Sequence, residues 1–396
     1  MIQKTIKQYL VLTGLTKFGM GFISAMYVTF LISKGLNLFE VNLVNFVFFT
    51  TMFIYEIPTG AFADVFGRKA SYVVSCFLLG ISMFVYGASG SFWGFVLAEA
   101  IGAIGATFSS GAFQSWFVDK LNHHGYEGDR TYLFAKEQQV AQGSGILGAV
   151  MGAAIADYSM VLPWIIGGTI LLVTGVTASI WMKEEYFVRQ ELSFRSGMES
   201  MKNVAQASIH YGVRNKVIRF ILVIGAMQFV AVQAPNMQWQ PFFKQFLKSQ
   251  LSLGVLFATM TLGLMVGAAL APRFLEKIKD EKKSLVITQI LIGLGIAGSV
   301  VWNVFPAAIT MFLVHEMARG IFKPLKDVYL HANIPSKERA TLVSFESIAH
   351  HGGGMIGLLL SGFLAEHVGI RITWALLGAA LTISALLVAK NGYKKK

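Results

Sequence analysis

The sequence predicts an all-α integral membrane protein of twelve transmembrane helices in two six-helix bundles. Three observations carry this reading. The 396 residues are 55% hydrophobic and only 14% charged, against about 25% charged in soluble domains. The apolar residues fall in long unbroken blocks divided by short charged strings. The basic residues collect in alternate strings rather than in all of them.

A block of roughly 20 apolar residues crosses a bilayer as a helix. Only helices and closed barrels satisfy their backbone there, and barrel strands are short and alternating, so these blocks are helices. In order they lie at 8–34, 38–64, 69–89, 91–120, 132–156, 159–182, 217–247, 250–275, 284–304, 306–333, 340–366 and 369–390. The first follows Lys4 and Lys7, as the apolar run of a signal peptide would. It is too long for one, and no small-residue cleavage site ends it. Cys76, the single cysteine, lies in the third block, which excludes an intramolecular disulfide and marks it as a small packing residue.

Residues 183–216 form the longest polar stretch. Within it Phe187, Leu192, Met198, Met201, Ala205 and Ile209 recur at helical spacing. The stretch reads as an amphipathic surface linker between a bundle over 1–182 and a second over 217–396. The two bundles look duplicated. "DRTYLFAKE" (Asp129–Glu137) precedes block five and "ERATLVSFE" (Glu338–Glu346) precedes block eleven, at a shift of 209 residues. A duplicated transporter places such a match at equivalent points of its halves.

The net charge of +12 is a topology signal and not a nucleic-acid footprint. With both termini on one side, that side receives 26 of the 33 Lys and Arg. The other receives four: Lys34, Lys244, Lys248 and Arg371. Lys17, Lys136 and Arg319 remain inside helices. The positive-inside rule then places both termini in the cytoplasm of a cell membrane.

Between blocks two and three runs "EIPTGAFADVFGRK". Its Gly60, Asp64, Gly67, Arg68 and Lys69 meet every defined position of Gly-x-x-x-Asp-x-x-Gly-Arg-Lys/Arg. This resembles the cytoplasmic signature loop of the major facilitator superfamily, and the twelve blocks, long central loop and cytoplasmic termini extend the resemblance over the whole chain. Glu56-Ile-Pro-Thr-Gly60, Asp119 and the Glu-Arg-Ala-Thr stretch at 338–341 look like bacterial members assigned to efflux. The resemblance implies alternating access between two halves. It also implies a cytoplasmic gate built from Gly60, Asp64, Gly67, Arg68 and Asp119. Block four departs from the proton-coupled drug exporters: "LAEAIGAIGAT" places Glu99 where an Arg is frequent. Gly148-Ala-Val-Met-Gly152 keeps the glycine spacing of the antiporter motif without its proline. "APRFLEKIKDEKK", the matching loop of the second half, keeps only the basic end.

Physically, Gly67 supplies a tight turn and Gly60 allows close helix approach. Asp64 is placed to accept N–H groups of a helix N-terminus, and Arg68 to pair with Asp119. The loop works either as a latch or as a static staple.

A charge at mid-membrane costs at least about 2.5–3.5 kcal/mol on insertion scales, so each intramembrane charge needs a reason. Lys17 and Glu99 lie about 14 Å into their blocks, and Glu56 about 12 Å. Glu316 and Arg319, spaced i,i+3, can pair on one helix face. By the resemblance, helices 1, 4, 7 and 10 line the central cavity, and Lys17, Glu99, Glu316 and Arg319 fall on that set. Burial raises a carboxylate pKa and a neighbouring cation lowers it, so these residues are the candidates for proton coupling. Glu99 leads, with an ion pair to Lys17 as the alternative. Glu316–Arg319 reads equally as a structural pair. In block seven, Gln228, Gln233, Asn236 and Gln238 lie beside Trp239 and Pro235. They line a substrate surface or bond between helices. His315, His350 and His351 read as packing histidines.

Two Gly-x-Gly-x-x-Gly strings, at 143–148 and 293–298, lie inside apolar blocks and read as close helix packing. No nucleotide loop, nucleophile triad or metal-ligand spacing is present. The expectation is a transporter and not an enzyme, without cofactor or metal. It works as a monomer in the lipid bilayer on a small-molecule substrate, most simply a proton-driven antiporter exporting amphipathic compounds. A nutrient importer, a lipid flippase and a non-transporting sensor are the alternatives. The charge split predicts that Lys34→Cys and Lys248→Cys label from outside intact cells, and Lys202→Cys only after permeabilisation. External labelling at 202 overturns the orientation.

Overall fold

The computed structural model describes residues 1–187, 216–333 and 339–392. The amphipathic linker expected over 183–216 falls mainly on 188–215, outside the described residues. The described helices are α1 (Ile2–Ser24), α2 (Tyr27–Ser33), α3 (Leu38–Phe66), α4 (Arg68–Ala88), α5 (Phe92–Ser109), α6 (Ala112–His123), α7 (Arg130–Ala156) and α8 (Leu162–Trp181). After the central stretch come α9 (Lys216–Lys244), α10 (Gln250–Ile278), α11 (Glu281–Gly298), α12 (Phe305–Asn333) and α13 (Arg339–Gly392). Each of the twelve apolar blocks is helical. Among the described residues, eight helices are individually long and apolar enough to cross a membrane, or nine if α1 and α2 form one bent span.

Three blocks differ from simple rods. Block one breaks by 43° between α1 and α2. Block four, expected as one helix over 91–120, is α5 and α6 divided at Ser110–Gly111. There Gly111 takes φ 69, a left-handed value that cannot continue a right-handed helix. Blocks eleven and twelve are the two arms of α13, separated at Gly369 (φ 82, ψ 161). Helix starts follow local chemistry. Ser91 accepts the N–H of Gly94, Asp129 that of Thr131 and Asp280 that of Lys283, each satisfying an orphan first-turn donor. Asn37 and Glu40 form a reciprocal capping box at α3, at 2.8 and 2.9 Å. Glu40, which reads in sequence as a plain surface charge, thus starts a helix.

The contacts divide the chain into two compact units. The first holds α1, α2, α3 from Val44 onward, α4–α8 and the segment Leu247–Ala258. The second holds Asn37–Leu43 and, among the described helices, α9, the rest of α10 and α11–α13. In the first unit α1 and α7 run side by side at constant offset. A Cβ on Gly14 would lie 3.3 Å from Ser144, and one on Gly21 would lie 3.0 Å from the Cα of Gly148. In the second, a Cβ on Gly293 would lie 2.6 Å from the carbonyl of Gly378. Gly148 and Gly293 belong to the two glycine strings, which therefore pack helices. Tyr9 stacks on Phe117 at 3.9 Å between centroids, and Tyr72 on Phe113 at 3.9 Å, around a buried Cys76. Large apolar side chains such as Ile180, Ile383 and Leu387 remain exposed, as a surface solvated by lipid requires.

Two acids cap helices to which they are remote in sequence. In the first unit Asp157 Oδ1 accepts the N–H of Gln250 at 2.6 Å, and Oδ2 that of Leu251 at 3.1 Å. In the second, Glu366 Oε2 accepts the N–H of Leu38 at 3.2 Å. Asp157 and Glu366 stand at the same 209-residue shift as the repeated strings. An acid at an exposed helix N-terminus contributes about 0.3–1 kcal/mol. Asp157→Ala should therefore lower the thermal unfolding midpoint in detergent, and Asp157→Asn should lower it less. An unchanged midpoint for Asp157→Ala would remove the cap from the account.

Candidate functional site

The first candidate centre is Glu99, in the body of α5 and 7% exposed. The Tyr86 hydroxyl from α4 donates to its Oε2. The Tyr27 hydroxyl from α2 and Nδ2 of Asn45 from α3 each reach Oε1 at 3.5 Å. The two tyrosine hydroxyls lie 3.3 Å apart. Behind them the Tyr86 ring stacks on Trp164 of α8 at 4.3 Å and on Phe95 at 5.7 Å. Three helices thus hold one carboxylate by neutral donors. Lys17, weighed in sequence as its ion-pair partner, is exposed. The ion pairs among the described residues do not join it to Glu99.

The second centre lies in the second unit. Glu316 on α12 is buried, and Arg319 one turn on reaches its two oxygens at 3.0 and 3.3 Å. The same guanidinium nitrogen donates to Asn236 Oδ1 of α9 at 3.1 Å. His315 Nε2 lies 3.7 Å from Glu316 Oε1. The expected i,i+3 pair is present, and Asn236 joins it. The other amides of α9 divide. Gln228 and Gln233 are buried, as is Trp239. Gln238 donates to the carbonyl of Ser361 at 3.0 Å and accepts from Trp374 Nε1 at 3.0 Å. Both ends of that amide are thus engaged in helix packing, and Gln238 is withdrawn from the expected substrate lining.

The third centre is the α3–α4 turn. Gly67 takes φ 94 and ψ 155, a conformation open to glycine, and Arg68 forms the expected ion pair with Asp119 of α6. Two expectations are corrected. Nothing among the described residues lies within 4 Å of a Cβ on Gly60, so no described helix packs closely there. Asp64 is exposed, and the carboxylate at the start of α4 is Glu184, whose Oε1 accepts the Arg68 N–H at 2.9 Å. Glu185 takes Lys120, and that bonded ammonium holds its carboxyl below the usual range. The contribution of this pair is therefore present above the carboxyl's ordinary value near 4.5 and fades as pH falls through the lowered one. The Tyr186 hydroxyl donates to the carbonyl of Trp116 at 3.1 Å. The segment after α8 is thus strapped over the turn. Glu56 is exposed and accepts from Ser110 Oγ at 2.9 Å, beside the α5–α6 break.

Sequence reasoning missed Tyr27, Asn45, Tyr86 and Glu184. For Glu184 the signal was available in the acidic pair that follows block six. Among the described residues no three His, Cys, Asp or Glu side chains gather as metal ligands. Glu346 and His350 have no described side chains.

The sequence pattern of the Major Facilitator Superfamily matches residues 9–279 and 219–394. YxaM of Bacillus subtilis, an uncharacterized MFS-type transporter, is 26% identical over 384 residues, covering 95% of this chain and 90% of its own. MJ1560 of Methanocaldococcus jannaschii, an uncharacterized MFS-type transporter, is 20% identical over 383 residues, or 93% of each chain. Among solved structures, the nucleoside transporter NupG superposes with a TM-score of 0.80 at 12% identity, covering 99% of this chain and 100% of its own. A bacterial homologue of the iron transporter ferroportin, in an inward-facing state, gives 0.79 at 12% identity over 99% of each chain. At these identities the two structures bear on fold alone.

Arg68 and Asp119 are each about one-third exposed, so their pair is expected to contribute about 0.2–1 kcal/mol. In a double-mutant cycle on thermal stability, Arg68→Ala and Asp119→Ala should fall short of additivity by that amount. Full additivity would show that the two side chains are not coupled.

Proposed function

The chain belongs to the Major Facilitator Superfamily, and from that premise we propose that it is a proton-driven secondary transporter exporting amphipathic small molecules. In this reading residues 1–182 and 217–396 are two six-helix halves joined by the 183–216 linker, with both termini cytoplasmic in the cell membrane. The monomer is the working unit, and the proton gradient replaces any cofactor as the energy source. Direction rests on the likeness of the Glu56–Gly60 and 338–341 stretches to efflux members.

The observation that supports proton coupling is the shell around Glu99. The carboxylate is buried and held by two hydroxyls and an amide. One proton neutralises it without dismantling the shell, because a tyrosine hydroxyl can turn from donor to acceptor. Glu316 differs: Arg319 already balances its charge. Glu99 therefore carries the transported proton. Glu316, Arg319 and Asn236 form a fixed polar wall, and Lys17, in an exposed position on α1, adds positive field. The amides Gln228 and Gln233, near Trp239 on α9, supply mixed polar and aromatic chemistry for an amphipathic cargo. Arg68 and Asp119, with Asp64 and Glu184 beside them, form the cytoplasmic gate. Repeating the Arg68/Asp119 cycle with transport rate as the readout tests that role.

The decisive test is reconstitution in liposomes with an imposed pH gradient and a panel of amphipathic compounds. Glu99→Gln is expected to reduce gradient-driven transport at least tenfold while cargo binding persists. Transport by Glu99→Gln at the wild-type rate, with the wild-type pH dependence, would move the proton role to another carboxylate.

A further inference from the structure

The α1–α7 seam of the first unit holds a groove of about 570 Å³ that the transport reading does not use. Its walls are two parallel helices in fixed register. Gly14 meets Val140 and Ser144, Gly21 meets Gly148, and Gly152 meets Phe22, so the partner number stays close to 130 ahead. That register sets Lys7 and Lys136, one from each helix, at the same level. Both ammonium-bearing residues line the groove and both are exposed. The ion pairs among the described residues include neither. No carboxylate lines the groove. Glu137, which follows Lys136 in sequence, is not among the groove's lining residues. Below the lysines the lining is apolar except for Ser144, with Leu10, Leu15, Phe18 and Leu147 as its main walls.

The dimensions point to one class of occupant. From Lys7 to Phe18, and from Lys136 to Leu147, each helix advances eleven residues, or about 16 Å. Half the hydrocarbon core of a bilayer is about 15 Å. Two cations at one end and an apolar channel one leaflet long match an anionic head on an acyl chain. Gln3, one turn beyond Lys7, lines the same groove and offers an amide at headgroup level. The geometry points to a binding site for one anionic phospholipid of the bilayer, its phosphate between Lys7 and Lys136 and one acyl chain along α1 and α7. Neither lysine belongs to the Glu99 shell or the turn cluster, so the lipid test and the transport test can fail separately.

The test is native mass spectrometry of the whole detergent-purified chain, titrated with phosphatidylglycerol or phosphatidylcholine. Wild type should retain one phosphatidylglycerol in preference to phosphatidylcholine. Lys7→Gln with Lys136→Gln should weaken that retention roughly tenfold or more, and Lys→Arg at both positions should restore it. Val140→Trp, which keeps both lysines and obstructs the channel, should weaken it as well. A control that removes two charges elsewhere, Lys4→Gln with Lys390→Gln, should leave it intact. Thermal unfolding of every variant in the same detergent separates a lost site from a lost fold. The proposal fails if wild type shows no preference, or if the control loses as much as the Lys7/Lys136 variant, which would indicate a diffuse basic belt. It also fails if inorganic phosphate displaces the lipid as well as phosphatidylglycerol does, because the apolar channel would then contribute nothing.

Discussion

Inside a bilayer there is no water to complete a hydrogen bond, so every polar group must find its partner within the protein. The helices answer this for the backbone. For side chains, the answer separates the two carboxylates buried among the described residues, Glu99 and Glu316. Glu99 is met by Tyr27, Tyr86 and Asn45, all neutral. Glu316 is met by the guanidinium of Arg319, itself tied to Asn236. The first arrangement satisfies hydrogen bonding and leaves charge uncompensated. The second satisfies both. The same residue type in two helices therefore has two chemical characters, set by what the neighbouring helices bring to it.

The likeness between the two units lies in caps and turns more than in side-chain identity. Asp157 and Glu366 stand at one repeat shift and each accepts first-turn N–H groups of a helix remote in sequence. The α10–α11 turn keeps a left-handed residue, Lys279 at φ 58, much as the α3–α4 turn has Gly67 at φ 94. A positive φ persists in the second turn where the signature residues have gone. A lysine in that conformation costs about 1–2 kcal/mol that glycine does not. The glycine of the first half has a further reason to remain, since the Glu184 carboxylate lies against it. The second half has lost the acid and the glycine together.

Much of this was legible. Block boundaries followed from hydropathy because lipid permits little else, and the Arg68–Asp119 and Glu316–Arg319 pairs followed from position. The partners of Glu99 were not legible, since they lie 13, 54 and 72 residues away on three other helices. Which face of an apolar helix turns inward is not written in its hydrophobicity when lipid and core are equally apolar. The break at Gly111 was hidden for a related reason, because the glycine sits in an otherwise continuous run. Glu184 was not read as a cap because it arrives from the end of α8, 116 residues beyond the Arg68 N–H that it accepts.

The difference between the two carboxylates also decides which of them can change charge without endangering the fold. Removing one member of a fully buried ion pair costs about 3–5 kcal/mol, because the other is left unpaired. For Glu316–Arg319 the figure is smaller, since Arg319 is 24% exposed, but the sign holds. Any step that neutralised Glu316 would strand a guanidinium against Asn236 and His315. Glu99 strands nothing. Its donors are two hydroxyls and an amide, and one hydroxyl can turn to accept from the protonated acid, while the Tyr86 ring stays stacked on Trp164. A group whose surroundings tolerate both protonation states with the same geometry is suited to repeated gain and loss of a proton. A group clamped by a permanent cation is suited to holding two helices in register.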